Sequence, residues 1–138
     1  MAMRDILLDT NAYVAFKRGL PEVVEVIRHA ALIGINSVVL GELLAGFAVG
    51  SRGTANVEEL RRFMGSPRVR IFSLDEVTAS RYADVYRDLR GIGQPIPTND
   101  MWIAATALRH HLAALSFDGH FKAVKGVVAG SSLSDFIF

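Results

Sequence analysis

The chain has 138 residues, a formal net charge of +1, no cysteine and 51% apolar residues. That length suits one domain with a real core, and the apolar share excludes a disordered chain. Without cysteine there is no disulfide framework and no thiolate metal site, and the near-neutral charge means that any nucleic acid is handled at a local site.

Twelve of the 15 basic residues are arginine, whose planar fork suits phosphate, although an arginine-rich proteome accounts for that bias more simply. Met1–Asp5 has no secretory pattern, so the expectation is a soluble cytoplasmic protein. Residues 30–50 carry one charge, Glu42, and are long enough to span a bilayer. Asn36, Ser37, four glycines and that central carboxylate argue instead for a buried strand followed by a buried helix, with no membrane segment.

In chain order, Arg4–Leu8 reads as a short buried strand, and Asp9-Thr10-Asn11 supplies caps for a helix running through Ala15 to Arg18, stopped by Gly19. Pro21 opens a second helix with Val23, Ile27, Ala30 and Ala31 on one face. Gly34–Asn36 is a second strand, and Ser37 caps a helix through Val49. Residues 50–55 read as a surface loop, and Asn56 with Glu59 as a capping box for a helix with Val57, Leu60 and Met64 inward. Val69–Leu74 is a strand, and Asp75 starts a helix with Tyr82, Val85, Tyr86 and Leu89 at i, i+3, i+4 and i+7. After the stiff loop Gly91–Pro97, Met101–Leu108 is apolar nearly all round, which places a helix in the centre. Leu112–Ser116 and Gly126–Ala129 are the last strands, and Phe136–Phe138 is an apolar tail, in the core or at an interface. This alternation predicts an α/β fold: one domain over residues 1–138, a central parallel β-sheet with α-helices on both faces, and ligands bound beyond the carboxyl ends of the strands.

Ten of the 14 acids fall on polar helix faces, in first turns or near the chain ends, where a solvated charge is ordinary. Four do not. Asp9 ends the first strand, Glu42 lies among Leu40, Gly41, Leu43 and Leu44, Asp100 opens the most apolar helix, and Asp118 follows the Leu112–Ser116 strand. Taken singly, Asp9 and Asp100 are at home as helix N-caps and Asp118 as a turn residue before Gly119. Taken together, strand-end and helix-start positions on one side of a parallel sheet converge, and clustered carboxylates repel unless a cation sits among them. Oxygen-only ligands suit Mg²⁺ or Mn²⁺, and a hard dication in such a pocket serves phosphodiester hydrolysis. With four of the 14 acids engaged in that way, ten remain against 15 bases, an excess able to hold a polyanion beside the pocket.

These residues closely resemble the PIN-domain ribonucleases, and among them the VapC-type toxins of bacterial and archaeal toxin–antitoxin pairs. The blocks that carry the resemblance are Leu7-Leu8-Asp9-Thr10-Asn11, Gly41-Glu42-Leu43, Thr98-Asn99-Asp100 with Trp102–Ala107, and Leu115–Phe121. It implies a Mg²⁺- or Mn²⁺-dependent endoribonuclease with Asp9, Glu42, Asp100 and Asp118 as the catalytic acids. Asp9 and Asp100 would be the principal metal ligands, and Asp118 and Glu42 would complete the site or orient the water. Ser116 stands where the family commonly has threonine, which keeps the hydroxyl but leaves open whether it touches the site. Asn11 either bonds to Asp9 or a metal water, or caps the first helix; Thr10 and Asn99 are similar cases.

The resemblance also implies an RNA substrate, a small antitoxin that covers the site, and a homodimer. Leu43, Leu44, Phe47 and Val49 offer a docking face, with core packing as the plainer explanation. His120 reads as a surface turn residue rather than a phosphate contact, His110 and His111 do not form a zinc pair, and Trp102 reads as core. A phosphatase of the haloacid-dehalogenase type would need an acid at position 11, where this chain has Asn, and a receiver domain would need an acidic pair there. A PIN nuclease without an antitoxin and a catalytically idle PIN-like binding domain remain as alternatives.

Overall fold

A computed structural model describes residues 2–138. Its strands are β1 Ile6–Leu8, β2 Ile33–Asn36, β3 Val69–Phe72, β4 Ala113–Leu115 and β5 Ala129–Gly130. Its helices are α1 Thr10–Lys17, α2 Pro21–His29, α3 Ser37–Val49, α4 Gly53–Met64, α5 Glu76–Gly91 and α6 Thr98–His110. The strands form one sheet in the order β3-β2-β1-β4-β5, with every pairing parallel. Every residue of β1, β2 and β4 is buried. Strands buried on both faces need cover on both, and the helices supply it, so the expected α/β architecture is the one found. No described helix is long and apolar enough to cross a membrane.

Register aligns the strand ends at the centre of the sheet. Ile6 lies opposite Ile33 on one side and Ala113 on the other, and Leu8 lies opposite Leu115. From β1 the chain moves outward through β2 to β3, then returns to the far side of β1 for β4 and β5. The direction of winding therefore reverses between β1 and β4, and in sheets of this kind a crevice opens at that point beyond the carboxyl ends.

Several boundaries differ from the sequence reading, each for a local reason. β1 is confined to Ile6–Leu8, because Met3 bridges antiparallel to Ile137 and the Arg4 N–H donates to the Phe136 carbonyl (2.9 Å). Ala31 lies beyond α2, whose C-cap is Ala30. The cap of α3 is Asn36, not Ser37: its Oδ1 accepts from the Val39 N–H at 2.9 Å, while its amide donates to Thr106 Oγ1 at 3.0 Å. That pair ties the end of β2 to α6 through fully buried groups.

α4 begins at Gly53, inside the expected loop, and Asn56 is already helical, its N–H donating to the Arg52 carbonyl, so there is no capping box. A side chain at Gly53 would sit 2.6 Å from the Phe47 carbonyl oxygen; only glycine lets α4 start this close to α3. β3 and β4 are each shorter than expected, and β5 is Ala129–Gly130 rather than Gly126–Ala129, since Gly126 turns the chain with φ +86°. Tyr86 is exposed, while Tyr82, Val85 and Leu89 of the same helix face inward, and the Tyr82 ring stacks on Trp102 at 4.2 Å. Phe136 is wholly buried, whereas Phe138 is 74% exposed, so the tail divides between core and surface.

Most arginines work on helix faces. Arg28 pairs with Glu25, Arg61 with Glu58, and Arg81 and Arg87 with Asp84, in exposed pairs that contribute little each. Arg68 instead donates to the carbonyls of Ile27 and Ala30 (2.8 and 2.6 Å), closing the end of α2. His110 packs on Phe72, and His111 is the left-handed C-cap of α6 (φ +56°), so the two histidines part company. A non-glycine residue pays a steric cost at such an angle. His111→Gly is therefore expected to raise stability by about 0.5–1 kcal/mol, read as a higher urea midpoint at unchanged m.

Candidate functional site

Asp9 follows β1 directly. It is the N-cap of α1, and its Oδ1 accepts from the Thr10 N–H at 2.7 Å. The other oxygen accepts a 2.6 Å bond from the Ser116 hydroxyl, at the end of β4. Ser116 Oγ also accepts from the Asp118 N–H at 2.9 Å, so one buried hydroxyl fixes two of the four odd acids relative to each other. Ser116 thus touches the site, which its sequence position leaves open. Asn11 does not cap α1. Its Oδ1 accepts from the Phe117 N–H at 3.2 Å, and its side chain lies 3.5 Å from Ser116 Oγ, so it pins the β4 end to α1.

Glu42 projects from α3 toward the same place. Thr10 Oγ1 donates to one of its oxygens at 2.7 Å, and Asn99 Nδ2 to the other at 3.3 Å. Asp100 lies in the first turn of α6 but does not cap it, because Pro97 holds that position without a side-chain bond. Freed from capping, its Oδ2 meets His120 Nδ1 at 2.7 Å. Asp118 caps the 3₁₀ turn Gly119–Ala123 by accepting from the His120 N–H at 3.0 Å, and its Oδ1 also lies 2.8 Å from His120 Nδ1.

The structure therefore brings Asp9, Glu42, Asp100 and Asp118 to one crevice, the one at the β1–β4 reversal. It adds His120, which the sequence alone presents as a surface turn residue. No local signal marks it: the cap bond from Asp118 takes the His120 backbone N–H, and the partner that draws the ring inward, Asp100, lies 20 residues earlier.

Electrostatics record the crowding. Burial pushes the Asp9 carboxyl above its usual range, outweighing the lowering effect of the Ser116 and Thr10 bonds, with Asp100 and Glu42 adding repulsion. Burial also raises Asp100, helped by the charges of Asp118 and Glu42 and opposed by His120. The His120 imidazole is raised, chiefly by its bond to Asp100. This is an anionic pocket short of positive charge. Asp100, Asp118 and His120 offer ligand atoms all within 4.8 Å of one another, a spacing that can hold a metal ion. Hard oxygen donors in excess, with no sulfur, suit a hard dication.

Of the proposed docking residues, Leu43 is core, Phe47 is half-buried, and Leu44 and Val49 are exposed.

Comparison with known proteins places this arrangement in context. The PIN domain family model matches residues 6–127. Ribonuclease VapC4 of Mycobacterium tuberculosis is 33% identical over 94 residues, covering 68% of this chain and 72% of that protein. FitAcB from Neisseria gonorrhoeae matches with a TM-score of 0.77 at 30% identity, over 91% of this chain and 97% of that one. VapBC2 from Rickettsia felis, solved bound to a DNA fragment from its promoter, shares the fold with a TM-score of 0.81 at 23% identity, over 91% and 96% of the two chains.

Proposed function

This chain belongs to the PIN domain family, and on that premise we propose that it is a divalent-metal-dependent endoribonuclease, the toxin of a toxin–antitoxin pair. The observation that carries the reading is the convergence of four carboxylates from separate stretches on one crevice, two of them raised by burial and mutual repulsion. The likeness to Ribonuclease VapC4 supports RNA as the substrate. The likeness in fold to VapBC-5 of Mycobacterium tuberculosis, a member of the VapBC family of toxin–antitoxin systems (TM-score 0.69 at 23% identity, over 92% of this chain and 96% of that one), supports a small cognate antitoxin as the partner. The exposed Leu44 and Val49 give that antitoxin an apolar footing on α3. A homodimer working in the cytoplasm completes the proposal.

Asp9, Asp100 and Asp118 would hold Mg²⁺ or Mn²⁺, and Glu42 would complete the catalytic set. Such an ion supplies a Lewis acid that acidifies water and neutralises charge gathering on the phosphate. The remaining work falls to the chain. Ser116 holds Asp9 and the backbone of Asp118 in fixed relation, and Asn11 secures the strand end that carries them. Thr10 and Asn99 grip both oxygens of Glu42, aiming it at the cluster, where it orients the attacking water.

The test is RNA cleavage by the purified protein with Mg²⁺, with Mn²⁺ and with EDTA. Cleavage with either ion and none in EDTA is expected; activity indifferent to EDTA would overturn the metal mechanism. A pH dependence arises from the raised Asp9 and Asp100. Protons compete with the cation for these two groups at higher pH than for ordinary carboxylates, so apparent Mn²⁺ affinity should begin to fall at a pH above the range in which ordinary carboxylates titrate. Titrations at stepped pH read this directly, and a flat profile down to about pH 4, where ordinary carboxylates titrate, would contradict it.

A further inference from the structure

His120 sits in the crevice in a way that an ordinary surface pair does not require. Its Nδ1 lies 2.7 Å from Asp100 Oδ2 and 2.8 Å from Asp118 Oδ1, two carboxylates from different elements. One ring nitrogen carries at most one proton, and one N–H makes one straight hydrogen bond. Two equally short contacts at the same nitrogen gather one imidazole nitrogen and two carboxylate oxygens, three potential ligand atoms, around one point, all within 4.8 Å of one another. Ligands at right angles around a six-coordinate ion with bonds of about 2.1 Å stand about 3 Å apart, so both separations need widen only slightly to admit one. The ring is 43% exposed and has room to make that adjustment.

We propose that His120 Nδ1 is a direct ligand of the metal centre, and that it biases the centre toward Mn²⁺ over Mg²⁺. The proposal rests on the metal-centre reading above and deepens it. An all-oxygen pocket distinguishes these two ions weakly, since both accept carboxylate and water. An imidazole nitrogen changes the balance, because first-row transition ions accept it readily while Mg²⁺ prefers oxygen and keeps its waters. The turn at Gly119–Ala123 is what aims the nitrogen: Asp118 caps it through the His120 N–H, so the ligating carboxylate and the ring are set by one local structure.

The experiment uses the metal-stripped full chain. Mn²⁺ binding is followed by loss of the free-ion electron paramagnetic resonance signal, and Mg²⁺ binding by competition, in wild type, His120→Phe and Asp100→Asn. His120→Phe keeps a ring and removes both nitrogens. It is expected to weaken Mn²⁺ binding about tenfold or more and to change Mg²⁺ binding by less than about threefold. Pulsed resonance on the Mn²⁺-loaded wild type should show ¹⁴N coupling from a bound imidazole, absent in His120→Phe.

Unchanged or tighter Mn²⁺ binding by a folded His120→Phe, an equal loss for both ions, or no ¹⁴N coupling in wild type would each overturn the proposal. If the variant does not fold, the wild-type coupling alone decides. No Mn²⁺ binding by wild type, or full binding by Asp100→Asn, would instead overturn the metal-centre reading beneath it.

Discussion

Replacing Asp9 or Asp100 with asparagine is expected to lower RNA cleavage by at least about 10²–10³-fold, the scale on which an enzyme loses one preorganised electrostatic group. The same substitutions should leave the fold intact. Asparagine matches aspartate in shape, and its side chain can still bond the Thr10 N–H and Ser116 Oγ at position 9, or His120 at position 100. Stability is expected to move in the opposite direction from activity. Asp9 has a raised carboxyl in the folded, metal-free protein, so its stabilising balance is complete below the ordinary carboxylate range and is lost as pH rises through the folded value. At neutral pH the ionised group works against the fold, and a neutral amide removes that opposition. Melting in EDTA should therefore give Asp9→Asn a Tm equal to or above that of wild type. Expression of wild type should arrest growth, and either variant should relieve the arrest. Undiminished cleavage by both purified variants would remove the proposed roles.

Phe136→Ala should cost about 3–5 kcal/mol, the range for truncating a fully buried aromatic ring. Against the roughly 5–15 kcal/mol that holds an ordinary domain together, this is a large share. It should lower Tm by about 10–20 °C. Phe138→Ala provides the internal control. That ring is 74% exposed and touches Arg4 only as a cation–π partner at 4.9 Å, so its removal should shift stability by no more than about 0.5 kcal/mol. Equal losses from the two substitutions would mean that the tail does not pack as described.

What is legible in the sequence is whatever burial writes into composition. Ile6-Leu7-Leu8 and Ala113-Ala114-Leu115 are buried at every position, and such runs announce themselves. The four odd acids are equally visible, because a charge beside an apolar strand or helix needs a reason wherever it occurs. What escapes depends on contacts remote in the chain or on the fine placement of a cap. Residues 50–55 have loop composition, and the early start of α4 follows from the approach of Gly53 to the Phe47 carbonyl, which no local pattern records. Asn36 and Ser37 are both good caps, and the choice between them turns on a partner 70 residues away, Thr106. A two-residue strand such as β5 has no periodicity to read. His120 escapes because an exposed histidine in a turn is common, and only the neighbouring Asp100, 20 residues earlier, makes it unusual.

The adjacency of β1 and β4 has a bearing on how this protein is made. The hydroxyl that fixes Asp9 belongs to a residue 107 positions later, and the strand carrying it pairs with the first strand in the sheet. Assembly of the pocket must therefore wait until synthesis has passed residue 118 and the distant strand has docked, a loop closure that is slow by the measure of helix formation. A chain that has not yet docked that distant strand lacks the Ser116 hydroxyl that fixes Asp9, so whatever chemistry the four acids perform can begin only once both ends of the sheet are in place.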